Sequence, residues 1–126
     1  MRQQVGVSEQ FAVIANLSDE IRAMSRRSGH SLPVYGGTPT EQALRRELAA
    51  LSDQSLKELR GLAHFGKEYK PWHGDPAEVL SQYIKDAIIF PRKAMESCLE
   101  EMPIGEYLRH AIQHLSMTTS ADIERA

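Results

Sequence analysis

Two groups of side chains in this sequence have types and spacings suited to chemistry. Glu106, His110 and His114 recur every four residues. On a helix each such step turns about 40°, so the three stack along one side. Two imidazoles in that register can share a divalent cation, as in metalloprotease helices where a glutamate between them serves as base. Here Ala111, Ile112 and Gln113 lie between the histidines, so that base is missing. A further ligand has to come from His64, His73 or Cys98. The simpler reading is a solvated helix flank with Glu–His pairs, and it is preferred. A metal-binding protein or metalloenzyme using His110, His114 and His73 is the alternative. No cofactor, metal ligand or catalytic residue is assigned.

The second group is the segment Gly66 to Asp75, which reads GKEYKPWHGD and interleaves basic with aromatic residues around the single tryptophan. Aromatic rings beside lysine can stack nucleic-acid bases or form the hot spot of a protein interface. The simpler reading has Tyr69 and Trp72 folding back to plug the open end of a bundle. If the chain has a site, this loop is the first place to look for it, with Tyr69, Lys70, Trp72 and His73 as contact residues.

Other candidates are weaker. Arg45, Arg46, Lys57 and Arg60 suggest a basic strip and a helix-turn-helix. Glu41, Glu47, Asp53 and Glu58 alternate with them, which describes a salt-paired solvent face. The turn Leu51-Ser52-Asp53 also lacks the glycine that motif favours. Cys98 lies between Met95 and Met102 at an apolar position, so burial as a small hydrophobe is expected rather than nucleophilic work. Gly36-Gly37-Thr38 precedes a helix without the lysine of a phosphate loop.

These residues must be positioned by helices. Phe11, Ile14, Leu17, Ile21 and Met24 form one stripe from about Ser8 to Arg27, closed by Gly29. Residues 28–37 read as a linker long enough for this helix to stand as an appendage. Its stripe must still be buried, on its own bundle in the simpler reading and on a second copy or another protein in the alternative. Thr38-Pro39-Thr40-Glu41 is a capping box with proline at the first helical position. Leu44, Leu48 and Leu51 follow. Ser52 restarts the chain into Leu56, Leu59, Leu62 and Phe65, ended by Gly66. Asp75-Pro76-Ala77-Glu78 repeats the capping logic ahead of Val79, Leu80, Tyr83, Ile84, Ala87 and Ile88, a wide face expected at the centre of the bundle. Pro91 forces a kink or restart. Met95, Cys98, Leu99 and Met102 carry a short helix to Pro103, and Tyr107, Leu108, Ala111, Ile112 and Leu115 a last one to about Ser116. No stretch alternates with period two over a strand's length.

Composition agrees. The 126 residues are 41% hydrophobic and 25% charged, enough for one core without disulfides or metals. Fifteen basic against seventeen acidic residues give a net charge of −2, which argues against nucleic-acid binding by bulk charge. A single cysteine excludes an intrachain disulfide and suits a reducing cytoplasm. The longest apolar run, Ala87–Ile88–Ile89–Phe90, is far short of the roughly 20 residues that cross a membrane.

From Leu44 to Leu115 the chain resembles a small bacterial family whose members are a domain of unknown function. The resemblance lies in Leu48-Ala-Ala-Leu51 with Leu56-Lys-Glu-Leu59-Arg-Gly-Leu62, in Phe65-Gly66-Lys67, and in Met102-Pro103-Ile104-Gly105-Glu106-Tyr107-Leu108. It implies a helical fold and a bacterial origin, and brings no catalytic residue.

The expectation is an all-α protein, a small bundle of five or six helices with an N-terminal appendage helix. Residues 1–37 form that helix and its linker, 38–116 the bundle, and 117–126 a polar tail that frays. The leading function is a non-enzymatic protein-interaction or regulatory module, cytoplasmic and without membrane contact. It would meet an unknown protein partner or a second copy of itself, through the Tyr69–Trp72 loop or through Ile14, Leu17 and Ile21 of the first helix. A nucleic-acid-binding regulator ranks last.

Overall fold

The computed structural model describes residues 9–28 and 37–125, with side chains given for residues 9–24 and 37–115. The described residues form six α-helices and a single 3₁₀ turn, with no strand, so the chain is an all-α bundle. The helices are α1 (Glu9–Ser28), α2 (Pro39–Ala50), α3 (Asp53–Glu68), α4 (Pro76–Asp86), α5 (Arg92–Glu101) and α6 (Ile104–Arg125). The 3₁₀ turn, Pro71–His73, links α3 to α4.

Helix starts follow from local chemistry. The Thr38 hydroxyl accepts from the Glu41 N–H at 3.1 Å, while the Glu41 carboxylate accepts from the Thr38 N–H at 2.8 Å. Two orphan donors of α2 are satisfied at once. Ser52 accepts from the N–H of Ser55 and Asp75 from that of Glu78, capping α3 and α4. The end of α2 is closed from a distance. Arg92 donates to the carbonyls of Leu48, Ala49 and Leu51, and pairs with Asp53 at 2.7 Å and Glu96 at 2.6 Å. The bond to Glu96 raises the pKa of this guanidinium, against burial and with help from Asp53.

The core is built on α3 and α6. Leu56, Leu59, Ala63 and Phe65 are fully buried, as are Leu44 and Leu48 of α2, Leu99 of α5, and Ile104 and Ala111 of α6. Gly66 lies inside α3 rather than ending it. A Cβ there would stand 1.8 Å from the Tyr107 carbonyl oxygen, so glycine is what lets α6 approach. Gly61 serves α4 in the same way, its missing Cβ falling 2.6 Å from the Ile84 Cα.

Beside the place of Gly66, four further expectations need correcting. The N-terminal helix is no appendage: Phe11 and Ile14 enter the common core and α1 packs on α2 and α6. The linker and Gly29, which suggested its separation, lie outside the described residues apart from the ends at Ser28 and Gly37. Helix α4 is peripheral rather than central. It stops at Asp86, before Ala87 and Ile88, and buries no residue completely. Helix α6 continues past Ser116 to Arg125, since no glycine or proline after Gly105 interrupts it. Finally, Cys98 is exposed, because α5 turns Leu99 inward instead.

Candidate interaction site

The last turn of α3 delivers Tyr69 inward. Its N–H closes the helix on the Phe65 carbonyl at 2.8 Å. Its ring stacks on Phe65 with centroids 4.7 Å apart and meets His114 edge-on at 4.9 Å. The phenol donates to the Gly74 carbonyl at 2.5 Å, which draws the far end of the loop back over the ring. Burial, with Asp75 nearby, pushes the Tyr69 hydroxyl pKa above its ordinary value.

Between these fixed ends lies the 3₁₀ turn. The Lys70 N–H donates to His73 Nδ1 at 3.1 Å, and the His73 N–H donates to the Lys70 carbonyl at 2.9 Å. Gly74 follows at φ +120°, a conformation that favours glycine, and Asp75 then caps α4. Trp72 is carried at the apex and is 78% exposed, with its ring nearly perpendicular to that of His73. The two aromatic residues thus part company: Tyr69 plugs the bundle as the simpler reading holds, and Trp72 does not. Lys70 and His73 are exposed beside it.

The first-helix candidates are placed differently. Ile14 is fully buried, and Leu17 and Ile21 pack partly buried against the core. Ile14, Leu17 and Ile21 are covered by the chain's own helices and leave little surface for another protein, while Met24 at the end of the stripe is exposed. Ser18, which sequence reading passed over, is buried among them. The signal was available, because Ser18 lies four residues after Ile14 and three before Ile21, on the inward face.

The histidines do not converge. Glu106 and His110 are exposed, while His114 turns toward Phe65 and Tyr69. Among the described residues no group of three or more His, Cys, Asp or Glu side chains is arranged to hold a metal ion. His64 stacks on Tyr83 of α4 at 4.6 Å. Burial lowers its pKa, as do Arg60 and Lys67, with Glu68 opposing. The basic strip is also dispersed. Arg45 pairs with Glu100 at 2.9 Å, and the Lys57 ammonium donates to the carbonyls of Lys85 and Ala87. Among the described residues, no helix is long and apolar enough to cross a membrane.

A second exposed apolar feature was also missed. In the connector between α4 and α5, Ile88 is 73% and Phe90 65% exposed, while Ile89 between them is buried. As part of one helix, Ile88 reads as core; with α4 ended at Asp86 it points outward.

Comparison with protein-family models, with curated proteins and with solved structures finds no match to this chain. Function is therefore read from its own geometry.

Proposed function

We propose that the chain is a non-enzymatic protein-interaction module whose contact point is the Trp72 turn. The observation that carries the reading is a large apolar ring left 78% exposed on a backbone pinned at both ends. Burying an exposed indole releases much apolar surface from water, and tryptophan is prominent among interface hot spots. A turn already fixed by Tyr69–Gly74 and Lys70–His73 gives up little conformational freedom when a partner closes over it. Lys70 and His73 then form a polar rim around the ring. The partner this favours has an apolar pocket of indole size bordered by hydrogen-bond acceptors for the Lys70 ammonium.

The test is a pull-down from the native host with wild-type and Trp72→Ala baits, followed by titration of the purified prey. Loss of binding by Trp72→Ala, with helicity and melting temperature unchanged, supports the reading. A prey that binds both proteins equally overturns it.

A further inference from the structure

The backbone of the Trp72 turn is closed by a side chain that can change charge. His73 Nδ1 accepts from the Lys70 N–H at 3.1 Å, and the His73 N–H donates back to the Lys70 carbonyl at 2.9 Å. An imidazole accepts at Nδ1 only when neutral, with its one proton on Nε2. The imidazolium carries a proton on both nitrogens, so Nδ1 then sets a donor against the Lys70 donor. The ring is exposed, and a proton reaches it without any opening of the bundle. Tyr69 and Trp72 each stand nearly perpendicular to it at 6.0 Å. The titratable and charged groups around it are Lys70 in the turn, Tyr69 at the end of α3, Asp75 and Glu78 at the start of α4, and, beyond Tyr69, His114 of α6. Asp75 is taken by the Glu78 N–H and the Tyr69 hydroxyl by the Gly74 carbonyl. Among the described residues, the Lys70 N–H is therefore the hydrogen-bond partner of the ring.

We infer that His73 is a proton-operated latch, which holds the Trp72 turn in one conformation while neutral and releases it when protonated. This rests on the Trp72 turn being the contact point, and adds what regulates it. The Tyr69–Gly74 bond and the backbone bond from His73 to Lys70 are untouched by the proton. The turn therefore loosens between its ends, while the helices on either side stay in place. An indole on loosened backbone has to be ordered again by whatever binds it, so acid weakens binding at this point.

Nuclear magnetic resonance of the full chain from about pH 5 to about pH 8, the range in which imidazole ordinarily changes charge, tests the inference. The ring-nitrogen shifts of neutral His73 should show its proton on Nε2. The Lys70 amide, corrected for the intrinsic pH dependence of exchange, should lose about fivefold in protection, the worth of one hydrogen bond. That loss should share its midpoint with the His73 ring. The Tyr69 amide, bonded to the Phe65 carbonyl, should keep its protection, which separates the latch from general unfolding. In His73→Asn the amide oxygen stands where Nδ1 does and stays an acceptor in acid, so the Lys70 protection should persist there. A neutral His73 with its proton on Nδ1, or a Lys70 amide indifferent to the charge on His73, overturns the inference. So does a loss of protection that His73→Asn shares. These readouts need no partner, so they fail separately from the Trp72 contact itself, which the Trp72→Ala bait decides.

Discussion

The Ser18 hydroxyl accepts a hydrogen bond from the backbone N–H of Ile104 at 3.2 Å, across 86 residues of sequence, and donates to the Met102 carbonyl at the same distance. Helix α6 thus takes a side-chain cap from α1, on an N–H that also reaches the Met102 carbonyl of its own flank at 2.8 Å. Asp19 adds to the arrangement. Its carboxylate lies over Gly105 at the positive end of the α6 dipole and pairs with Arg109 at 2.8 Å. Arg22 donates to the Glu101 carbonyl at the end of α5. One face of α1 therefore clamps the α5–α6 junction.

Ser18→Ala should destabilise the whole bundle by about 1 kcal/mol, the usual loss for a helix cap, since the Ile104 N–H keeps its bond to the Met102 carbonyl. Urea unfolding followed by circular dichroism measures it. An unchanged midpoint would mean that the Ser18 hydroxyl contributes nothing to holding α1 on the α5–α6 junction.

Gly66→Ala is expected to destabilise although alanine is the better helix former by about 1 kcal/mol. The added methyl meets the Tyr107 carbonyl, so α3 and α6 must separate, and overpacking of this kind costs about 1–3 kcal/mol. Thermal unfolding decides the sign. A rise in melting temperature would show that the helices are not in close contact there.

Trp72 is the only tryptophan, which makes fluorescence a direct report on it. The emission of the free protein should match a hydrated indole, and iodide should quench it readily. Blue-shifted, protected emission would show that Trp72 is packed inside, and would remove the contact point of the proposed function.

His64 sets a pH dependence. Its folded pKa is lowered from 6.5 by burial first and then by Arg60 and Lys67, so the unfolded chain binds the proton more readily. Stability contributed by neutral His64 is complete above pH 6.5. It declines as pH falls from 6.5 toward the lowered folded value, and levels off below that. In urea titrations across this window, His64→Phe should keep the ring stack on Tyr83 and show a shallower decline than wild type. Parallel curves would refute the assignment.

Arg92→Lys should destabilise by about 2 kcal/mol, as loss of charge-assisted bonds to a helix end implies. Lysine lacks the fork that reaches the Leu48, Ala49 and Leu51 carbonyls together with Asp53 and Glu96. Chemical denaturation of the two proteins gives the difference. Equal stability would make the carbonyl contacts incidental.

What the sequence by itself determined is local. The Thr38–Glu41 box, the Ser52 and Asp75 caps and the three-and-four spacing of leucines act within a turn or two of chain, so helix starts and the all-α class were legible from them. What only the tertiary structure decided is which atoms lie across from one another. Gly66 reads as a helix stop until Tyr107 packs against it. Phe65–Gly66–Lys67 and Met102–Leu108, two stretches singled out in sequence, turn out to meet at that contact. Tyr69 and Trp72 are alike in composition, yet one is buried and the other exposed, because only Tyr69 finds Phe65, His114 and the Gly74 carbonyl. Ile88, Ile89 and Phe90 divide in the same way once α4 has ended. Hydrophobicity sets how much surface a residue gains by burial, and neighbours distant in sequence set whether burial is offered.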